Sequence, residues 1–98
     1  MKFVQTIIVR TRDQDGLADL MAAWHATEAG NAPGYLGSRL LADRESPDRY
    51  QLIIDFASAE EAHLNNDRVE TQTWAAKLSE LIDGDPEFGN FDDIQTIA

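Results

Sequence analysis

The chain reads as an α+β fold, with helices laid on one face of a small antiparallel sheet. Three observations predict it. First, the stretch from Pro33 to Phe56 holds two strand-like runs around a polar turn, Asp-Arg-Glu-Ser-Pro-Asp-Arg. Second, Leu17, Leu20, Met21 and Trp24 recur at helical spacing, and Trp74, Leu78 and Leu81 do so again, helped by Ala75 and Ile82. Third, these stripes alternate with strand-like runs in the order strand, helix, strand, strand, helix, strand, which is the split βαβ or ferredoxin-like arrangement.

Each element has a local reason. Lys2 to Thr11 is the first strand, with Phe3, Ile7 and Val9 on one face and Val4 and Ile8 on the other. Arg10 to Gly16 is a polar turn in which Asp13 or Asp15 caps a helix over Gly16 to Ala29. Gly30 stops that helix, because glycine enters the left-handed conformation without steric cost. Pro33-Gly34 opens the second strand. Ser58-Ala59-Glu60-Glu61 is a capping-box pattern at the head of a short helix ending near Leu64. Asn65-Asn66-Asp67 interrupts it, and Asp67 with Glu70 is expected to cap a new helix that ends at Gly84-Asp85-Pro86. Phe91, Ile94 and Ile97 do not alternate cleanly, so the tail from Phe88 to Ile97 is expected to be a fourth strand with a bulge or irregular start.

The central strands are apolar on both faces. In the second, Leu36, Leu40 and Ala42 are expected on one side and Tyr35 and Leu41 on the other. In the third, Tyr50, Leu52, Ile54 and Phe56 oppose Ile53. A strand with one face in water alternates apolar and polar residues. A second cover is therefore expected, and in a chain this short the cover is another copy: a homodimer with sheets face to face. Arg39, a cation on a largely apolar strand, is expected to pair with Asp55 or Gln51 across the hairpin.

The 98 residues make one domain, spanning 1–98. A hydrophobic fraction of 43% with 27% charged residues is that of an ordinary soluble protein. Eight basic against eighteen acidic side chains leave a net charge of −10. No basic stripe interrupts that acidity, so nucleic acid and anionic membranes are poor partners. With no cysteine, disulfides and thiol catalysis are excluded. No apolar run approaches a membrane span, and the N-terminus lacks a signal-peptide pattern. The expected location is cytoplasmic. His25 with Glu28, and Glu60 with His63, share helix faces, but two histidines offer no further ligand set, and no metal is expected.

Pro33-Gly34-Tyr35-Leu36-Gly37-Ser38, Arg49-Tyr50-Gln51-Leu52, and Phe56-Ala57-Ser58-Ala59-Glu60-Glu61-Ala62-His63-Leu64 together resemble the antibiotic biosynthesis monooxygenase-like family of the dimeric α/β-barrel superfamily. The resemblance covers nearly the whole chain, in order. It implies a ferredoxin-like unit dimerising into an α/β barrel, with a pocket between helices and sheet. It also implies a catalytic group of His63, Asn66 and Trp74, with ligand contacts from Asn65 on the same side and from Trp24 and Tyr35 on the other. In the oxygenase branch, a deprotonated phenol itself reduces oxygen, and no cofactor or metal is needed. The protein desolvates the substrate, orients it and stabilises the anion, and uncharged donors such as Asn and Trp suit that work. This chain departs from the oxygenase pattern in having no Tyr between Ala57 and Asp85. It departs from the heme-degrading pattern in having no Asn on the first strand and no His after Trp74.

Each candidate residue also has a structural reading. His63 suits a general base, since an imidazole changes charge near neutrality, or makes a local hydrogen bond. His25 belongs to the surface or to helix packing. Trp24 and Trp74 supply core area, unless an indole N–H faces a cavity and donates to a bound oxygen atom. Asn65 and Asn66 break and cap helices. The function expected is a small cofactor-independent monooxygenase acting on an aromatic phenol or quinol. The alternative is a non-catalytic ligand-binding or regulatory dimer.

Overall fold

The computed structural model describes all 98 residues. The elements run β1 (Phe3–Arg10), α1 (Gln14–Glu28), β2 (Tyr35–Ala42), β3 (Arg49–Phe56), α2 (Ala59–Asn66), α3 (Val69–Leu81) and β4 (Glu87–Asp92). The four strands form one antiparallel sheet in the order β2-β3-β1-β4. This is the ferredoxin-like α+β fold. The helices cover one face of the sheet, and no helix is long and apolar enough to cross a membrane.

The helix-covered face and the first helical stripe meet as the spacing predicts. Ile7, Val9 and Leu52 of the sheet pack with Leu17 and Met21 of α1, Leu78 of α3 and Ile82 beyond it. This core fills one end of the layer. Thr11 closes that end: its hydroxyl donates to the Leu81 carbonyl at 2.6 Å, and the Asp83 N–H donates to the Arg10 carbonyl at 2.7 Å. Asp13 is the cap of α1, accepting from the Gly16 N–H at 2.9 Å.

Four expectations change in detail. Residue Leu36 is a bulge: Tyr35 pairs with Phe56 and Gly37 with Asp55, leaving Leu36 unmatched. The extra residue reverses the local alternation. Tyr35 therefore shares the helix-covered face with Ser38 and Leu40, and Leu36 lies on the open face. At α2, Ser58 Oγ accepts from the Glu61 N–H at 3.2 Å, but Glu61 turns its carboxylate to the Ser58 hydroxyl at 3.0 Å, not to a backbone N–H. The cap of α3 is Arg68, with no side-chain cap bond, while Asp67 closes α2. Beyond Asp92 the tail forms no regular structure, so the fourth strand is shorter than expected.

Gly34 is demanded twice. Its φ is +68°, and a Cβ there would lie 2.6 Å from Glu61 Cβ. The close approach lets the Ala57 N–H donate to the Gly34 carbonyl at 2.8 Å, which clamps the entry of β2 to the entry of α2.

The other sheet face is uncovered. Val4, Ile8, Ile53, Leu36, Leu41 and Phe91 lie on it, with Leu36 53% and Phe91 56% exposed. Arg39 sits on the same face opposite Ile53 and forms no ion pair, so the expected pairing with Asp55 or Gln51 is absent.

The β2–β3 turn carries a testable charge. The Asp43 carboxylate accepts from the Glu45 N–H at 2.8 Å and from Arg49 Nη1 at 2.6 Å. The backbone bond first, then Arg49, holds its pKa below the ordinary 3.8. A carboxyl depressed by folding stabilises the native turn above its unfolded pKa and ceases to do so as pH falls through its folded pKa. A carboxyl-carbon NMR titration is expected to give a midpoint below 3.8 for Asp43, and Arg49→Ala should raise it.

Candidate functional site

At the end of the layer away from the packed core, helices and sheet part to leave a cavity. Its walls are Gln5, Ile54 and Phe56 from the central strands, Tyr35 and Ser38 from β2, Met21 and Trp24 from α1, Asn65 and Asn66 from α2, and Thr71 and Trp74 from α3. Counting its mouth, the space is about 440 Å³, of which about 40 Å³ admits the centre of a water-sized sphere. By the usual 10–15 Å³ per water, that is room for about three. Trp24 and Trp74 lie with ring centroids 6.2 Å apart, tilted by 58°. Both also line a groove on the outer side, between α1 and α3, so the pair is the wall between cavity and groove.

Trp74 Nε1 is buried and has no hydrogen-bond partner within the protein. A buried donor left unpaired costs about 1–3 kcal/mol.

Asn65 is the other polar side chain fixed at the cavity. It is only 4% exposed. Its Oδ1 accepts from Arg68 Nη1 at 3.2 Å and from the Thr71 hydroxyl at 3.1 Å. A guanidinium can only donate, so the amide atom facing it must be the oxygen. The Nδ2 group therefore points away from Arg68 and has no partner in the protein. Arg68 in turn bonds Glu28 at 2.6 Å and Glu70 at 2.8 Å. Glu28 is buried at the end of α1. One guanidinium thus ties α1 to the junction of α2 and α3 and orients the asparagine.

Tyr35 is held by edge contact with Phe56, at 6.3 Å between centroids. Its hydroxyl lies 3.2 Å from Ser38 Oγ and 2.9 Å from His25 Nδ1.

Of the residues singled out in the sequence, Trp24, Tyr35, Asn65, Asn66 and Trp74 meet around this cavity. His63 does not. The inward positions of α2 are Ala62 and Asn65, and His63, one residue past Ala62, is exposed and bonds to nothing. Between the two asparagines, Asn65 is the buried one and Asn66 is exposed at the rim. Gln5, Ser38 and Thr71 were missed. Gln5 had a signal, being a polar residue on the face shared by Ile7 and Val9. Ser38 had the same kind of signal, being a polar residue on the face shared by Leu40 and Ala42. The lining holds no carboxylate and no imidazole, and nowhere do three His, Asp or Glu side chains gather as a metal-binding group.

The fold is that of the antibiotic biosynthesis monooxygenase-like proteins, as the sequence resemblance implied. Among solved structures, SnoaB of Streptomyces nogalater, a cofactor-independent oxygenase, matches with a TM-score of 0.75 at 22% identity, over 98% of this chain and 94% of that one. A provisionally named antibiotic biosynthesis monooxygenase of Caulobacter crescentus gives 0.81 at 14% identity, over 96% and 91%. The protein Rv0793 of Mycobacterium tuberculosis gives 0.78 at 12%, over the full length of both. At such identities the likeness is one of fold. No family model matches the chain, and no curated protein matches it.

The ion pair between Arg68 and Glu28 makes a clear stability prediction. Arg68→Met leaves a buried carboxylate unpaired and frees the Asn65 amide to rotate, so it should cost about 3 kcal/mol. Glu70→Gln, at the exposed partner, should cost less than about 1 kcal/mol. Urea unfolding of the two variants measures the difference.

Proposed function

We propose that the protein is a cofactor-independent monooxygenase acting on an aromatic phenol or quinol. The observation that carries this is the unpartnered indole N–H of Trp74 beside an aromatic-walled cavity. A neutral donor in a dry site stabilises an anion as it forms, at a point where water cannot. Asn65 Nδ2 adds a second neutral donor. Phe56, Tyr35 and the two tryptophans offer ring faces and edges to a planar guest. The cofactor-independent oxygenase named for SnoaB supports the same reading.

In this reading, the bound phenolate gives one electron to O₂. The two radicals join at a ring carbon as a peroxide. Heterolysis of the O–O bond, with loss of that carbon's proton, leaves a ring carbonyl, and the second oxygen leaves as water. The substrate supplies all four electrons that O₂ takes up, so atoms and charge balance with O₂ as the co-reactant. Trp74 and Asn65 hold the phenolate oxygen or the peroxide. The closed cavity suits a single ring, and a polycyclic guest requires the Trp24–Trp74 wall to part.

Oxygen uptake with hydroquinones and with reduced polycyclic phenols tests the reading. Trp74→Phe keeps an aromatic ring and removes the donor, and should lower kcat about a hundredfold. A ligand that binds tightly but returns unchanged from aerobic incubation would instead establish the non-catalytic reading.

We also propose that two copies associate through the uncovered sheet face. Val4, Ile8, Ile53, Leu36, Leu41 and Phe91 make it apolar, and a two-fold partner would cover the same set on each copy. Light scattering should report twice the mass of the chain. Ile53→Asp places an unpaired charge at the centre of that face and should yield a monomer; a wild-type monomer at micromolar concentration would refute the association.

A further inference from the structure

The cavity has donors but no base in its wall, and a phenol must lose a proton before it can reduce oxygen. We infer that Tyr35 and His25 form a proton relay that carries this proton from the cavity to solvent. The inference rests on the phenol-binding reading above and goes beyond it in assigning the base.

The geometry is continuous. Tyr35 lines the cavity, and its hydroxyl is 2.9 Å from His25 Nδ1. Ser38, also in the lining, sits 3.2 Å from the same hydroxyl. The His25 and Tyr35 rings meet edge-on at 5.7 Å and 64°, so the pair is packed as well as bonded. On its other side His25 is exposed, in a surface groove between α1 and β2. Ser38 and Met21 line both that groove and the cavity, so the two spaces adjoin.

The surroundings leave the relay as the route. The groups facing His25 from β2 are Tyr35 and Ser38, and the remaining groove residues carry no charge. On α1 itself, Glu28 lies one turn on and is committed to Arg68. Among the cavity residues, Tyr35 is the one bonded to an imidazole.

In the step, the substrate O–H bond breaks and its proton passes to Tyr35 Oη. The tyrosine's own proton passes to His25 Nδ1. Tyr35 ends as it began, the phenolate stays facing the neutral donors, and the imidazolium releases its Nε2 proton to water. Tyr35 is the group that touches substrate, and His25 acts through it. Nδ1 must be the acceptor, so the resting imidazole carries its proton on Nε2. When His25 already holds both protons, at low pH, the relay stops.

The probe for this is para-nitrophenol, a single ring whose phenolate absorbs in the visible. Quenching of tryptophan emission reports binding, and absorbance reports ionisation of the bound probe. Wild-type protein should bind it and hold it more ionised than free probe at the same pH. His25→Gln can still accept a hydrogen bond from the tyrosine hydroxyl but cannot take its proton. It should bind comparably and slow the appearance of bound phenolate after a stopped-flow pH jump about tenfold, because a relay sets the rate of proton loss and not its equilibrium. Tyr35→Phe, which cuts the relay at its other member, should do the same. Unchanged deprotonation rates in both variants would overturn the relay while leaving phenol binding intact. A probe that leaves the emission of wild-type protein unaltered would overturn the relay and the phenol-binding reading together.

Discussion

The arrangement of the site depends on the Arg68–Glu28 ion pair. Glu28 ends α1 in a buried position, and Arg68 stands in the two-residue break between α2 and α3. Their 2.6 Å contact fixes how far apart the helices stand at the cavity end. The same guanidinium fixes which way round the Asn65 amide sits. A buried charge pair is weak evidence for stability but strong evidence for a defined geometry when one charge also orients a neighbour. Here α1 and α3 converge over Leu17 and Leu78 at one end, and at the other they are held by a polar strut that leaves space beneath.

The space that results is unusual in its chemistry for a protein so acidic. Ten net negative charges lie outside it, yet its lining contains only amides, hydroxyls, aromatic rings and apolar groups. Neutral donors carry a smaller desolvation cost than charged ones, so they can be kept in a closed pocket without counter-ions. The cost appears instead as one orphan N–H on Trp74. In the proposed relay the proton leaves the pocket through a side chain, and the bulge at Leu36 supplies it. By turning Tyr35 toward the helices, it puts a phenol hydroxyl between Ser38 inside and His25 outside.

Much of the fold was present in the linear sequence. Helical spacing of Leu17, Met21 and Leu78 and two-sided apolar strands are local properties, and they survive into the structure because the core obeys them. The cap at Ser58, the stop near Gly30 and the order of elements were legible for the same reason, and the first cap was narrowed to Asp13 or Asp15, of which the structure uses Asp13. Five of the eleven cavity residues were also legible, but through resemblance to a family and not through any spacing in the chain. Three decisions were left to the tertiary structure. The face on which Tyr35 lies turns on one unpaired residue, and a period-two pattern reverses with a slip of one. The choice of Asn65 over Asn66 as the buried amide, and the exclusion of His63, depend on the rotation of a two-turn helix whose apolar pattern is too short to set it. The pairing of His25 with Tyr35 joins residues on different elements, and only the packing of α1 across the sheet brings an apparently superficial histidine to the edge of the site.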